Sequence, residues 1–235
     1  MDNFNLKKKS NRKKLFFKKN NILSKFGENL LCSKLNFIKT NPINIIQFGD
    51  SFNLNESNKK ILIFNNFEEF LTNRTICDAF LSNFGLQIYL ATENHILDLV
   101  HNSLNNNSLL CFNLITQNSF VTLKKMFYEI DENLFQGSYR RFGPFHDIQN
   151  TIEKLNNYNF KETVVSTENF ELNYNSLKKM RNDFKEFGIS NYYNDKIKFK
   201  KDFYIKTNQV FEKIIKKNSY FPIELEIATF TTWKS

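Results

Sequence analysis

Glycine (6), proline (3), tryptophan (1), cysteine (3) and histidine (3) are all scarce in this chain of 235 residues. With so few glycines there is no P-loop, no GxSxG and no GxGxxG, and no HExxH is present either. Cys32, Cys77 and Cys111 are odd in number and lack CxxC spacing, which excludes a disulfide framework or a cysteine zinc site and fits a reducing compartment. His95, His101 and His146 have no ligand-spaced partners, so the expectation is surface or capping histidines and no metal. Asp131-Glu132 reads as an exposed pair at a helix end rather than an acid/base couple. No apolar run approaches the roughly 20 residues of a membrane span, and no signal-peptide pattern is seen. These absences predict a soluble intracellular protein without a membrane span.

What is present is globular. Hydrophobic residues make up 41% and charged residues 24%, enough to bury a core. Asn, Lys, Phe and Ile dominate, a bias that points to an A+T-rich genome, so the net charge of +9 says little about a nucleic-acid partner. Its location says more. Residues 1–25 hold nine basic side chains, from Lys7 to Lys25, against Asp2 alone, which leaves the rest of the chain nearly neutral. Three readings stand: a solvated helix face, a docking site for an acidic protein or phosphate, and an organelle transit peptide. Adjacent Phe16 and Phe17 do not provide the interleaved stacking of a nucleic-acid surface, so no nucleic-acid partner is expected.

Apolar spacing predicts a helix over 22–38, ended by Asn41-Pro42. Strands are expected at 43–48, 60–64, 77–81, 109–115, 160–165, 168–174 and 221–233. Further helices are expected at 95–104, 123–130, 148–155, 176–187 and 203–217, with Asn105–Asn107 as a loop. Strands alternating with helices predict an α/β fold with a parallel, doubly wound sheet and an antiparallel C-terminal edge. In such sheets ligands bind beyond the strand carboxyl ends. Those ends read Phe48-Gly49-Asp50, Asn65-Asn66, Ser82-Asn83 and Asn113.

These ends and the C-terminal half together resemble the class I S-adenosylmethionine-dependent methyltransferases. Within them the nearest group is the malonyl-acyl-carrier-protein O-methyltransferases of biotin synthesis, whose relatives include an arginine-hydroxylating assembly factor of respiratory complex I. Asp78 to Gln87 (DAFLSNFGLQ) resembles the segment D-x-x-x-S-N-x-x-L-Q-W. Gly137 to Ile148 (GSYRRFGPFHDI) resembles the loop into the substrate-side helix, and 177–191 resembles the helix L-x-x-D-L-R-x-x-G-x-x-N. Phe221 to Ile227, leading to Trp233, resembles the closing strand. The resemblance implies a shortened Rossmann-like methyltransferase sheet over 41–235, with a cofactor half (41–118), a substrate half (119–235) and a basic helical extension (1–40).

It also implies S-adenosylmethionine as cofactor, near Phe48, Gly49, Asp50, Asn66, Glu68 and Asn83, with Arg140 and Arg141 as substrate contacts. The implied partner is an acidic acyl-carrier protein, or another acidic protein, met by the basic N-terminus. The implied compartment is bacterial cytoplasm, with the mitochondrial matrix as the alternative. The departures fall on the cofactor half. A single Gly49 stands where the family has G-x-G-x-G, and Asn105–Asn107 replace a Pro-Gly-Gly. Asn66 to Phe70 aligns with the family's third-strand segment, so the second strand, whose terminal acid holds the ribose, reads as deleted. Two functions follow: methylation of a malonyl-carrier protein, or a catalytically degenerate binding or assembly protein, possible in respiratory complex I assembly.

Overall fold

The computed structural model describes residues 21–38, 41–49, 54, 58–65, 67–72, 75–189 and 201–235. Along the described chain run α1 (Ile22–Phe37), β1 (Asn44–Phe48), β2 (Lys60–Phe64), α2 (Phe67–Thr72), β3 (Cys77–Asn83), α3 (Leu86–Thr92) and α4 (Ile96–Asn102). They are followed by β4 (Leu104–Ile115), α5 (Val121–Phe135), α6 (Ile148–Asn157), β5 (Phe160–Tyr174), α7 (Leu177–Glu186), α8 (Lys201–Asn218) and β6 (Phe221–Lys234). The six strands form one sheet in the order β2-β1-β3-β4-β6-β5. The first four are parallel, and β6 runs antiparallel between β4 and β5. This is the Rossmann-like α/β arrangement with an antiparallel C-terminal edge that the alternation of elements predicts.

Strand alternation divides the core. Phe80, Leu110 and Phe112 point to one face, where they meet Phe70 of α2, Leu86 and Tyr89 of α3, Val100 of α4 and Leu155 of α6. Ala79, Leu81, Leu109 and Cys111 point to the other face and meet Leu31 of α1. A third cluster lies past the carboxyl end of β4. There β6 runs on through Phe221, Ile223 and Leu225 and is packed by Leu123 and Met126 of α5, Met180 and Phe184 of α7, and Phe211 of α8. Side-chain caps start three helices: Asn21 accepts from the Ser24 amide (2.7 Å), Asp147 from Asn150 (2.8 Å) and Ser176 from Lys179 (3.4 Å).

Four expectations are corrected. The segments 160–165 and 168–174 are one strand, because β5 is the sheet edge and tolerates the polar Ser166-Thr167-Glu168 between them. Asn105–Asn107 belong to β4 but are looped out of its ladder: the register steps from Cys77↔Leu104 to Ala79↔Leu109, and Asn107 takes φ 58°, where asparagine is tolerated. Short helices at 67–72 and 86–92 were hidden, since each is about two turns long, too short for a helical period to be read; the first buries only Phe67 and Phe70, and the second is mostly buried. Finally, β2 pairs with β1 in unbroken parallel register, Asn44↔Lys60 to Phe48↔Phe64. It therefore fills the second-strand slot of a 3-2-1-4 order, and among the described residues the slot without a strand is the third.

Candidate active site

The strand following β1 lies on one side of it and the strand after that on the other, so the crevice of this sheet opens at the carboxyl ends of β1 and β3. Gly49 leaves β1 at φ 104°, a conformation that glycine adopts without strain. Its amide donates to the Phe64 carbonyl at the end of β2 (3.1 Å). A Cβ on Gly49 would lie 2.5 Å from Gly85 Cα, and one on Gly85 would lie 2.2 Å from the Phe48 carbonyl oxygen. The turn after β1 is thus pinned by backbone-to-backbone contact with the turn after β3. That contact requires glycine on both sides.

The side chains expected here divide into three groups. Phe48 is buried in an aromatic cluster with Phe70, Phe80 and Tyr89 and presents no edge to the crevice. Asn83 is buried and committed to α1: its Nδ2 donates to the Ser24 carbonyl (2.9 Å), and its Oδ1 accepts from Asn113 (3.2 Å). Asn113 in turn donates to the Gly27 carbonyl (2.7 Å) and accepts from Thr229 (2.8 Å). These buried groups satisfy one another across β3, β4 and β6 and tie α1 over the sheet, which explains two asparagines at strand ends without a ligand. Glu68 is exposed in the first turn of α2, directly after β2. Asp50 and Asn66 lie outside the described residues.

The segment Asp78 to Gln87, along β3 and into α3, is mainly architectural. Asp78 sits at the opposite end of the strand and accepts from the Asn44 amide (2.9 Å), the Ile43 amide (3.2 Å) and Asn105 (2.8 Å). The Asn44 amide is the main reason its carboxyl is held below the usual range. Ser82 Oγ accepts the Leu86 amide (3.1 Å) and starts α3. Gln87 clamps Ile115 (2.7 Å from its amide) and donates to the Pro144 carbonyl (2.7 Å). His146 is buried, contrary to the surface expectation, with Nε2 2.6 Å from the Gln87 carbonyl; burial is the main cause that brings it down to about 4.

Between α5 and the loop that follows it, a cleft of about 280 Å³ is lined by Lys124, Tyr128, Tyr139, Arg140 and Phe145, among others. Arg140 is exposed at its rim. Lys124 donates to the Gln117 carbonyl (2.6 Å), lies 4.8 Å over the Phe145 ring and is lowered by burial. Arg141 is not a substrate contact in this arrangement. It is buried in a bidentate pair with Asp131, through Nε (2.9 Å) and Nη2, and its guanidinium lies 3.7 Å from the Phe203 ring centre. Asp131, expected at an exposed helix end, is 1% exposed. Lys124 escaped the sequence reading because its partners, Gln117 and Phe145, lie outside its own helix, with no spacing to mark it.

Cys77 and Cys111 are buried, and burial pushes both thiols up to about 12, so neither is a nucleophile. No metal-binding group of three His, Cys, Asp or Glu is found among the described residues, and no described helix is long and apolar enough to cross a membrane.

No protein-family model and no curated protein matches the sequence. Solved structures do. The YcgJ protein from Bacillus subtilis is similar with a TM-score of 0.51 at 7% identity, over 88% of this chain and 98% of its own. A SAM-dependent methyltransferase from Archaeoglobus fulgidus is similar at 0.42 and 12% identity, over 89% and 94%. A group of SAM-dependent methyltransferases from Methanosarcina mazei is represented at 0.43 and 9%, over 86% and 98%. At such identities the likeness is one of fold.

Proposed function

We propose that this chain binds S-adenosylmethionine at the carboxyl ends of β1 and β2 and transfers its methyl group to an acidic, carrier-bound acceptor. The observation that carries the reading is the position of Glu68. β2 fills the second-strand slot, and Glu68, an exposed acid in the first turn of the helix that follows it, supports a reading in which its carboxylate receives the ribose hydroxyls. The Gly49 turn, packed against Gly85, closes the end of β1 beside it. Glu68 would hold the cofactor's ribose, and what the cofactor supplies is an electrophilic sulfonium methyl.

The protein's task is then placement of an oxygen nucleophile in line with that methyl. Arg140 and Lys124 line the cleft between α5 and the loop that follows it and favour an acceptor that carries a carboxylate. A malonyl thioester on an acyl-carrier protein has that chemistry, and the basic segment 7–25 suits the acidic carrier.

Calorimetric titration with S-adenosylmethionine and S-adenosylhomocysteine tests the reading. Binding near micromolar, about −8 kcal/mol, is expected. Glu68→Gln should weaken it about tenfold, since a charged hydrogen-bond partner is lost. No heat and no thermal shift at millimolar ligand would overturn the enzyme reading and leave a methyltransferase fold kept as a binding or assembly module.

A further inference from the structure

The outer edge of β2 has the features of an interface. It is the terminal strand of the sheet, and no described strand pairs with its outer side. Sheet edges are usually blunted by proline, a bulge or inward-pointing charge. This one reads Lys60-Ile61-Leu62-Ile63-Phe64, without proline, and its register with β1 is unbroken. Leu62 and Ile63 are 42% and 47% exposed on opposite faces, and Leu71 of the neighbouring α2 is exposed as well.

The hydrogen-bond polarity of the edge follows from its inner side. The Lys60 amide donates to the Ile43 carbonyl (2.8 Å), and the Phe64 carbonyl accepts from the Gly49 amide (3.1 Å). In a parallel ladder alternate residues face the same neighbour. Lys60, Leu62 and Phe64 therefore face β1, and the backbone groups of Ile61 and Ile63 face outward.

We propose that this edge is a homodimer interface, in which β2 of a second copy pairs with it antiparallel about a two-fold axis at Leu62. That register is the one that satisfies the outward groups. Ile61 opposes the partner's Ile63 in a hydrogen-bonded pair that exchanges two bonds, and the symmetric pair exchanges two more. Leu62 faces its own counterpart in the close, non-hydrogen-bonded position, and four isoleucines share one face. Charge agrees with the antiparallel sense: Lys59-Lys60 at the start of one strand come beside the other copy's strand end, which leads into Glu68-Glu69. The two sheets would then run on as one, with the second copy in the third-strand slot.

Sedimentation of the full chain at tens of micromolar tests this, with expected mass twice 28.0 kDa. Ile63→Pro removes an outward amide and leaves the inner ladder intact, so it should give a monomer with an unchanged circular dichroism spectrum. Leu62→Cys should form a disulfide-linked dimer on mild oxidation, whereas Lys60→Cys and the wild-type chain should not. The geometry allows it, because opposed Cα atoms in such a pair are about 4.5 Å apart. A monomeric wild type, a dimer that survives Ile63→Pro, or a Leu62→Cys chain that does not cross-link each overturns the proposal. None of these readouts involves the cofactor, so failure here is separate from failure of the methyl-transfer reading.

Discussion

Asp131 and Arg141 are ten residues apart in sequence, on α5 and on the loop that follows it, and both are buried. Their pairing, with Phe203 of α8 against the guanidinium, fixes a loop that would otherwise be held by little regular structure. Replacing one member leaves the other charged and uncompensated in the interior, which costs about 3–5 kcal/mol. Asp131→Ala is accordingly expected to lower the melting temperature by on the order of 10 °C, read by differential scanning calorimetry. A drop of only a degree or two would show that the pair is solvated. The sequence marked Asp131 as an exposed group and Arg141 as a substrate contact, because burial of a charge depends on what folds over it.

Helix α1 makes a comparable point at the scale of an element. Its period is plain in the sequence, but which stripe it buries, Leu23, Gly27 and Leu31, is decided by the sheet beneath it. Glycine inside a helix ordinarily costs about 1 kcal/mol relative to alanine. Here a Cβ at position 27 would lie 2.2 Å from Asn83 Oδ1 and 2.5 Å from the Phe84 ring. Gly27→Ala should therefore destabilise, by about 1–3 kcal/mol after overpacking offsets the propensity gain, as measured by urea unfolding. A more stable variant would mean that α1 does not sit on the asparagine network. The same packing explains why Asn83 is not a cofactor contact: the helix backbone has taken its hydrogen bonds.

At the scale of the whole molecule, His146 and Asp78 are two of the described groups that shape the response to acid. His146 is neutral in the fold, and burial, with Lys154 nearby, brings its folded value to about 4 against 6.5 unfolded. The unfolded chain then binds the extra proton between those values, so stability falls as pH drops from about 6.5 towards 4. The loss is on the order of 3 kcal/mol. Asp78 is held below the usual carboxylate range, so its contribution is present above about pH 4 and is lost on further acidification. Urea midpoints should thus decline below pH 6.5, and His146→Gln should flatten the first part of that decline. A midpoint constant from pH 7 to 5 would contradict the burial of His146.

Composition and hydrophobic period were enough to fix the class of fold, the order of the long elements and the antiparallel closing strand, because those depend on which face of each segment is apolar. They placed Gly49 at the turn that ends the first strand for the same local reason: only glycine enters φ 104° freely. Only the tertiary structure decided which strand slot is vacant among the described residues, and with it that Glu68 follows the second strand of the sheet, since a parallel strand of five residues carries no mark of its neighbour. Contacts between elements also decided that Asn83 and Arg141 are bound within the chain while Arg140 faces the cleft. Hydrogen-bond partners far apart in sequence leave no spacing to read, and they exist once the sheet has brought them together.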